Sequence, residues 1–219
     1  MDRQRIKEIV QEVVQKVLQK PTKVPIAVSN RHIHLSPEHL DRLFGRSYML
    51  SKQKDLSQPN QFAAKETVTL IGPKGKIQKV RILGPARGKT QVEVSLFDGF
   101  TLGVKPPIRN SGDIEGSASV TIQGPRGQVT IPEGLICAAR HIHMQPSDGD
   151  AFGVSDGDYV QVMVDGPRGV IFSNVLIRVS QNYKLEMHID IDEANAANLK
   201  NGQLGEIVAI ERQISEGGG

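Results

Sequence analysis

Cysteine occurs once in the 219 residues, at Cys137, which excludes a disulfide framework and any metal centre built from clustered thiolates. Tryptophan is absent and aromatic residues make up 4% of the chain, so the stacking surfaces that bind single-stranded nucleic acid are scarce. Charge of one sign is lacking too: 27 basic against 24 acidic residues leave a formal charge of +3, and the basic residues are spread along the chain. Nucleic acid is therefore not an expected partner, whereas a small phosphorylated ligand fits the mild positive balance. No apolar run approaches the roughly 20 residues of a membrane span, and the first residues lack the uninterrupted apolar core of a secretory signal. The expectation is an intracellular protein with no membrane partner. What the chain does have is turn chemistry. Its 22 glycines and 12 prolines, set among β-branched residues, describe short strands joined by tight turns.

The N-terminal segment differs from the rest. Ile6, Ile9, Val10, Val13, Val14, Val17 and Leu18 form one apolar stripe at helical spacing, with charged and amide residues opposite. An amphipathic helix is expected over residues 1–20, then a linker over 21–25 containing Pro21 and Pro25. Such a helix either packs on its own domain, pairs with itself in a homo-oligomer, or docks on a partner. Beyond it, strands are expected at 68–71, 77–83, 91–96, 119–122, 159–164, 170–179, 184–189 and 206–210. Gly-Pro-Lys-Gly at 72–75 and Gly-Pro-Arg-Gly at 124–127 and 166–169 supply the turns. Short helices are expected behind Ser36-Pro37, with Ser36 as N-cap, and from Asp192.

An internal repeat organises these strands. Arg31-His32-Ile33-His34 returns 109 residues later as Arg140-His141-Ile142-His143, and residues 91–96 align with 184–189. The expected architecture is mainly β with short helices: two similar β-barrel domains over 26–118 and 119–219, whose terminal segments are free to cross over. Residues two apart in a strand share a face at roughly 6.5–7 Å, so each His-x-His pair can chelate one metal. His188, in an apolar strand, is the natural third ligand of the second pair. The first half has Ser95 at the aligned position and no spare histidine, which leaves Glu93 as the carboxylate substitute, ahead of Asp98 and Glu66. Nitrogen- and carboxylate-rich sets of three suit zinc with an open coordination position.

Other residues speak less directly. Arg87, in the loop ahead of the Glu93 strand, offers a guanidinium to a phosphate or developing oxyanion. Ser111-Gly112-Asp113 is a turn that could present a hydroxyl and backbone N–H groups to an anion. Cys137 reads as core packing and His39 as a surface residue. His32-x-His34 with Glu38 imitates part of a cupin metal motif, but Glu38 falls in the first turn of a helix, so that reading is set aside.

The segments 28–36, 67–75, 140–144, 177–180, 185–190 and 192–197 together resemble the PduL-type phosphotransacylases. These are the phosphate propanoyltransferases of propanediol-degrading bacterial microcompartments. The resemblance implies two β-barrels with a dinuclear zinc site and transfer of an acyl group between coenzyme A and phosphate. It implies one zinc on His32, His34 and Glu93, a second on His141, His143 and His188, and Arg87 as catalytic arginine. Gln91 and Ser111 would join Arg87 near bound phosphate, and Ser29, Lys54, Arg81, Leu83, His188 and Asn195 would contact coenzyme A. It also implies that residues 2–19 form an encapsulation peptide for shell or cargo proteins, which places the chain in a microcompartment lumen, with free cytoplasm as the alternative. A preference for acetyl-CoA, a zinc-dependent thioester hydrolase and a non-catalytic metal-binding module are the competing readings.

Overall fold

A computed structural model describes residues 3–18 and 21–211, with side chains described for 3–10 and 21–211. Helix α1 (Arg3–Leu18) comes first, and its Ile6, Ile9 and Val10 are exposed. The rest of the expected stripe (Val13, Val14, Val17, Leu18) lies outside the described side chains. Strand β1 (Lys23–Ser29) begins within the expected linker and shortens it. The first half continues with β2 (His32–His34), α2 (Pro37–Phe44), β3 (Lys52–Asp55), β4 (Phe62–Ile71), β5 (Lys76–Gly84), β6 (Gln91–Glu93), α3 (Leu96–Leu102) and β7 (Ile108–Arg109). There follow β8 (Ala118–Gln123), β9 (Gln128–Ala138), β10 (His141–Met144), α4 (Pro146–Phe152), β11 (Tyr159–Val164), β12 (Val170–Val179), β13 (Glu186–Asp190), α5 (Ile191–Ala197) and β14 (Leu204–Glu211). No helix among the described residues is long and apolar enough to cross a membrane.

Local chemistry sets these elements. Ser36 Oγ accepts from the His39 N–H at 3.2 Å with Pro37 in the first turn, as the sequence predicts. Capping boxes open α3 (Ser95 with Asp98) and α5 (Asp190 with Glu193), so α5 starts one residue before the expected Asp192. All three Gly-Pro-x-Gly segments close hairpins, with backbone bonds of 2.9 Å between Gly72 and Gly75, Gly124 and Gly127, and Gly166 and Gly169. Two of these tips also dock on helix ends. The Lys74 N–H donates to Leu102 O and the Arg126 N–H to Leu43 O, both at 3.0 Å. A Cβ on Gly72 would stand 2.2 Å from Leu102 O, and one on Gly124 2.6 Å from Leu43 O, so only glycine lets these backbones meet.

Strand pairing closes two six-stranded barrels, as the repeat predicts. One runs β1-β13-β10-β12-β11-β14. The other runs β4-β5-β2-β6-β9-β8 and returns to β4, with β3 and β7 at its margins. The expected division at 118/119 departs from this pairing. Strands β8 and β9 complete the first barrel, which therefore extends to Ala138, while β1 pairs with β13 and β14 in the second. Val24 and Ile26 accordingly lie in the second core, and Ile122, Val129 and Leu135 in the first. The cause is a reciprocal exchange. By the 109-residue shift, β1 corresponds to the end of β9, and each of these leading strands closes the barrel of the other half: Ala27 pairs with His188, and Ile136 with Glu93.

Candidate active site

Alternation along β2 sends Ile33 into the first core and leaves His32 and His34 on the opposite face; β10 does the same around Ile142. The antiparallel neighbours supply the third member of each cluster, with Glu93 of β6 opposite His32 and His188 of β13 opposite His141. Within each cluster the candidate ligand atoms lie within 4.8 Å of one another. Both clusters, together with Arg87, line one cleft of about 1020 Å³. This pairing corrects the sequence alignment of the repeat: His188 is the counterpart of Glu93, not of Ser95. The shift falls from 109 residues at the histidine pairs to 95 at the third ligands. The difference is an extra segment between α2 and β4 in the first half, made of β3 and the loop bearing Ser57, Gln58 and Gln61.

The donor atoms behave as a metal would require. His32 Nδ1 donates to Asn30 O at 2.8 Å and His141 Nδ1 to Ala139 O at 2.9 Å, which leaves each Nε2 for a ligand role. His34 Nδ1, both ring nitrogens of His143 and His188 Nε2 are buried with no hydrogen-bond partner among the described residues. Glu186 Oε2 stands 3.3 Å from His188 Nε2 but outside hydrogen-bonding geometry. Burial, reinforced by the neighbouring His32, lowers the His34 pKa to about 3. Burial and His141 lower His143 to about 2 and His188 to about 3. At neutral pH these rings are uncharged, with lone pairs that no described residue uses. Burial also opposes charge on His32 and Glu93, yet their mutual attraction at 3.4 Å wins, raising the former's pKa and lowering the latter's. Buried polar atoms without partners are costly, and a divalent cation in each cluster would take up one unused lone pair from each ring. The donor sets therefore fit zinc.

The remaining expected residues distribute unevenly. Ser29, Lys54, Arg81, Leu83 and Ser111 line the cleft with the clusters. Asn195 is exposed on α5, apart from the lining residues. Gln91 is buried behind Glu93 rather than in the cleft wall. Its Nε2 donates to Glu93 Oε1 at 2.6 Å and Ser111 Oγ at 2.9 Å, and its Oε1 accepts from the Gly112 N–H at 2.8 Å. Ser111 Oγ donates to Glu93 Oε1 at 2.9 Å. Arg87 is half-buried, held through its backbone N–H to Leu35 O at 2.9 Å, with Nη2 3.4 Å from Gln61 Oε1. Cys137 is buried, and burial with the nearby Asp190 pushes its thiol up to about 12, which suits packing and not nucleophilic attack. His39 is no free surface residue: it is half-buried, with Nδ1 2.8 Å from Thr90 Oγ1.

Several cleft residues escaped the sequence reading. Tyr183 stacks on His143 with ring centres 4.0 Å apart, and Arg178 stands 5.8 Å from the Tyr183 ring. Ser57 Oγ donates to Glu186 Oε2. Gln58, 5% exposed, bonds Lys184 O at 3.0 Å and the Lys184 N–H at 3.2 Å, clasping the extra segment onto the second barrel. Glu186 shares a face with His188 by the same two-residue spacing that marked the histidines; Gln58, in a polar loop, carried no such signal.

The family described as phosphate propanoyltransferase matches residues 25–200. The chain belongs to the phosphate propanoyltransferase family. A phosphate propanoyltransferase of Thermotoga maritima is 55% identical over 184 residues, which cover 84% of this chain and 88% of that one. Another, from Rhodobacter capsulatus, is 55% identical over 181 residues, covering 83% and 84%. A third, from Alkaliphilus metalliredigens, is 46% identical over 211 residues, covering 95% of this chain and all of its own. The phosphate propanoyltransferase match covers the first barrel, all six clustered candidate ligands and the second barrel as far as α5, whereas α1 precedes it and β14 follows it.

Proposed function

We propose that this chain interconverts acyl-CoA and phosphate with acyl phosphate and CoA, with propanoyl-CoA as the acyl donor. The observation that carries the reading is the convergence of two buried three-ligand sets and Arg87 on one cleft. His32, His34 and Glu93 are assigned to one zinc ion, and His141, His143 and His188 to a second. Zinc bound there supplies Lewis-acid polarisation of the thioester carbonyl and orientation of phosphate. The chain's own residues do the rest. Arg87 binds phosphate through its guanidinium fork and offsets negative charge as a phosphate oxygen forms its bond to the carbonyl carbon. The C–S bond then breaks, and CoA leaves as its thiolate. Gln91 and Ser111 hold Glu93 in place from behind and from the side. Lys54 and Arg81, with Ser29 and Leu83, are assigned to CoA where they line the cleft, and Asn195 to its outermost contact.

The test is CoA-thiol release from propanoyl-CoA, with and without phosphate, on protein analysed for zinc. Phosphate-dependent release with two zinc ions per chain, lost in a still-metallated Arg87→Ala, is expected. Release that ignores phosphate would establish a hydrolase instead, and no release from folded, zinc-loaded protein would leave a binding module. Acetyl-CoA as a competing substrate measures acyl preference, which one methylene alters by roughly 1–3 kcal/mol.

We further infer that α1 is an encapsulation peptide, which would place the enzyme in a microcompartment lumen. Its exposed Ile6, Ile9 and Val10 and its position ahead of the family match support this. Deleting residues 1–20 should preserve catalysis and abolish co-purification with shells; equal co-purification would refute it.

A further inference from the structure

We propose that Arg31 and Arg140 are positioning residues for the two metal sites, acting through Asp98 and Glu193 respectively. The inference rests on the two-metal reading above and asks what fixes each third ligand relative to the histidine pair. Each arginine directly precedes the first histidine of its pair. The residue before it, Asn30 or Ala139, supplies the carbonyl that holds that histidine's Nδ1–H. Arg31 Nε meets Asp98 Oδ2 at 3.0 Å, and Arg140 Nε meets Glu193 Oε1 at 2.8 Å. Asp98 and Glu193 occupy the same place, the third helical position, which closes a capping box three residues after its N-cap. The N-caps of those boxes, Ser95 and Asp190, follow the third ligands Glu93 and His188 by two residues.

Each ion pair thus ties the segment that carries two ligands to the helix cap that terminates the strand carrying the third. The strand ladder alone fixes register, but β6 and β2 are three residues long, and a ladder that short leaves the ends free to pivot. The arginine clamp removes that freedom. It occurs twice in one chain at repeat-related positions, although one carboxylate is Asp and the other Glu. Asp98 is 2% exposed and also accepts from the Ser95 N–H at 3.3 Å, so the guanidinium neutralises a carboxylate that burial would otherwise penalise. Arg140 is pinned from a second side by the Phe172 ring at 5.3 Å.

The experiment follows transfer of zinc from the full-length protein to a chromogenic chelator, alongside total zinc content and circular dichroism. Wild type should carry two ions released in two phases. Arg31→Met and Asp98→Asn should accelerate one phase by about 10- to 100-fold, the usual scale for outer-shell partners of metal ligands. Arg140→Met and Glu193→Gln should accelerate the other phase to a similar degree. Arg31→Lys, which keeps the charge but loses the Nε donor, should recover part of the effect. Combining Arg31→Met with Asp98→Asn should add little to either alone, because both remove one interaction. If an arginine variant does not fold, the milder Asp98→Asn and Glu193→Gln carry the same comparison. Unchanged release from folded variants overturns the proposal, as does equal acceleration of both phases by every variant, which would mean general loosening. Wild type that binds no zinc removes the two-metal reading and this proposal with it. Two ions held alike in wild type and variants remove only the proposal.

Discussion

His143 is buried, its ring stacked on Tyr183, and neither of its nitrogens has a hydrogen-bond partner among the described residues. Together with His34 and His188 it makes the metal-free protein acid-sensitive in a defined direction. Their folded pKa values, about 2 for His143 and about 3 for His34 and His188, lie below the 6.5 of a free imidazole, so the unfolded chain binds more protons as pH falls below 6.5. Stability contributed by these neutral rings is complete above that pH and is lost progressively on acidification. Glu93, with its lowered pKa, adds in the same direction below about 4.5, whereas the raised His32 contributes stability that fades as pH rises past 6.5. Thermal midpoints of chelator-treated protein should therefore drop between pH 6.5 and 4, and zinc should shift the drop to lower pH. Gln91 gives a second prediction. A phosphate contact would make Gln91→Ala raise KM for phosphate. The bonding to Glu93, Ser111 and Gly112 instead predicts lower zinc content and kcat with that KM little changed. Arg87→Lys keeps the charge without the fork and should cost about 10²-fold in kcat/KM. The two clusters of candidate ligands were legible because a strand's two-residue period is rigid. Glu93 could be named only as a substitute, since the extra segment in the first half shifts the repeat and set Ser95 against His188.

At the scale of elements, the hairpin tips are built into the helices they touch. Gly72→Ala and Gly124→Ala would each drive a methyl into a helix carbonyl, and each should lower stability by about 1–3 kcal/mol, read from denaturant midpoints. Gly88→Ala, with open space around its Cβ position, is the neutral control. The three Gly-Pro-x-Gly turns and the Ser36 cap were readable because each is a local rule carried by adjacent residues. Helices α3 and α4 were not. Each is seven residues with an internal glycine, too short and too weak in propensity to stand alone. Capping and packing against the barrels decide them. Strand β9 was missed for a related reason: Pro132 and Gly134 interrupt it, and a strand read from sequence is expected to exclude both. Gly134 adopts φ +126° there, and its N–H is taken by Ser117 Oγ at 2.7 Å.

For the whole molecule, the two-barrel architecture followed from the repeat, but the assignment of strands to barrels did not. A repeat reveals which segments are equivalent and is silent on which copy each one pairs with. The reciprocal exchange predicts how the chain responds to cutting. Fragments 1–125 and 126–219, divided in the turn between β8 and β9, should each fail to unfold cooperatively, because each holds one barrel short of a strand and one strand without its barrel. Mixed together they should regain a single sharp transition and bind zinc; a fragment that melts cooperatively alone would contradict the exchange. The same feature orders events during synthesis. Strand β1 leaves the ribosome before every other strand of either barrel, yet its partners β13 and β14 are made after all the rest. The first barrel can close once β9 has emerged, and the His32–His34–Glu93 cluster forms with it. The second must wait for β13 and β14, and until then the growing chain carries an unpaired β1 edge that has to be kept from pairing with anything else.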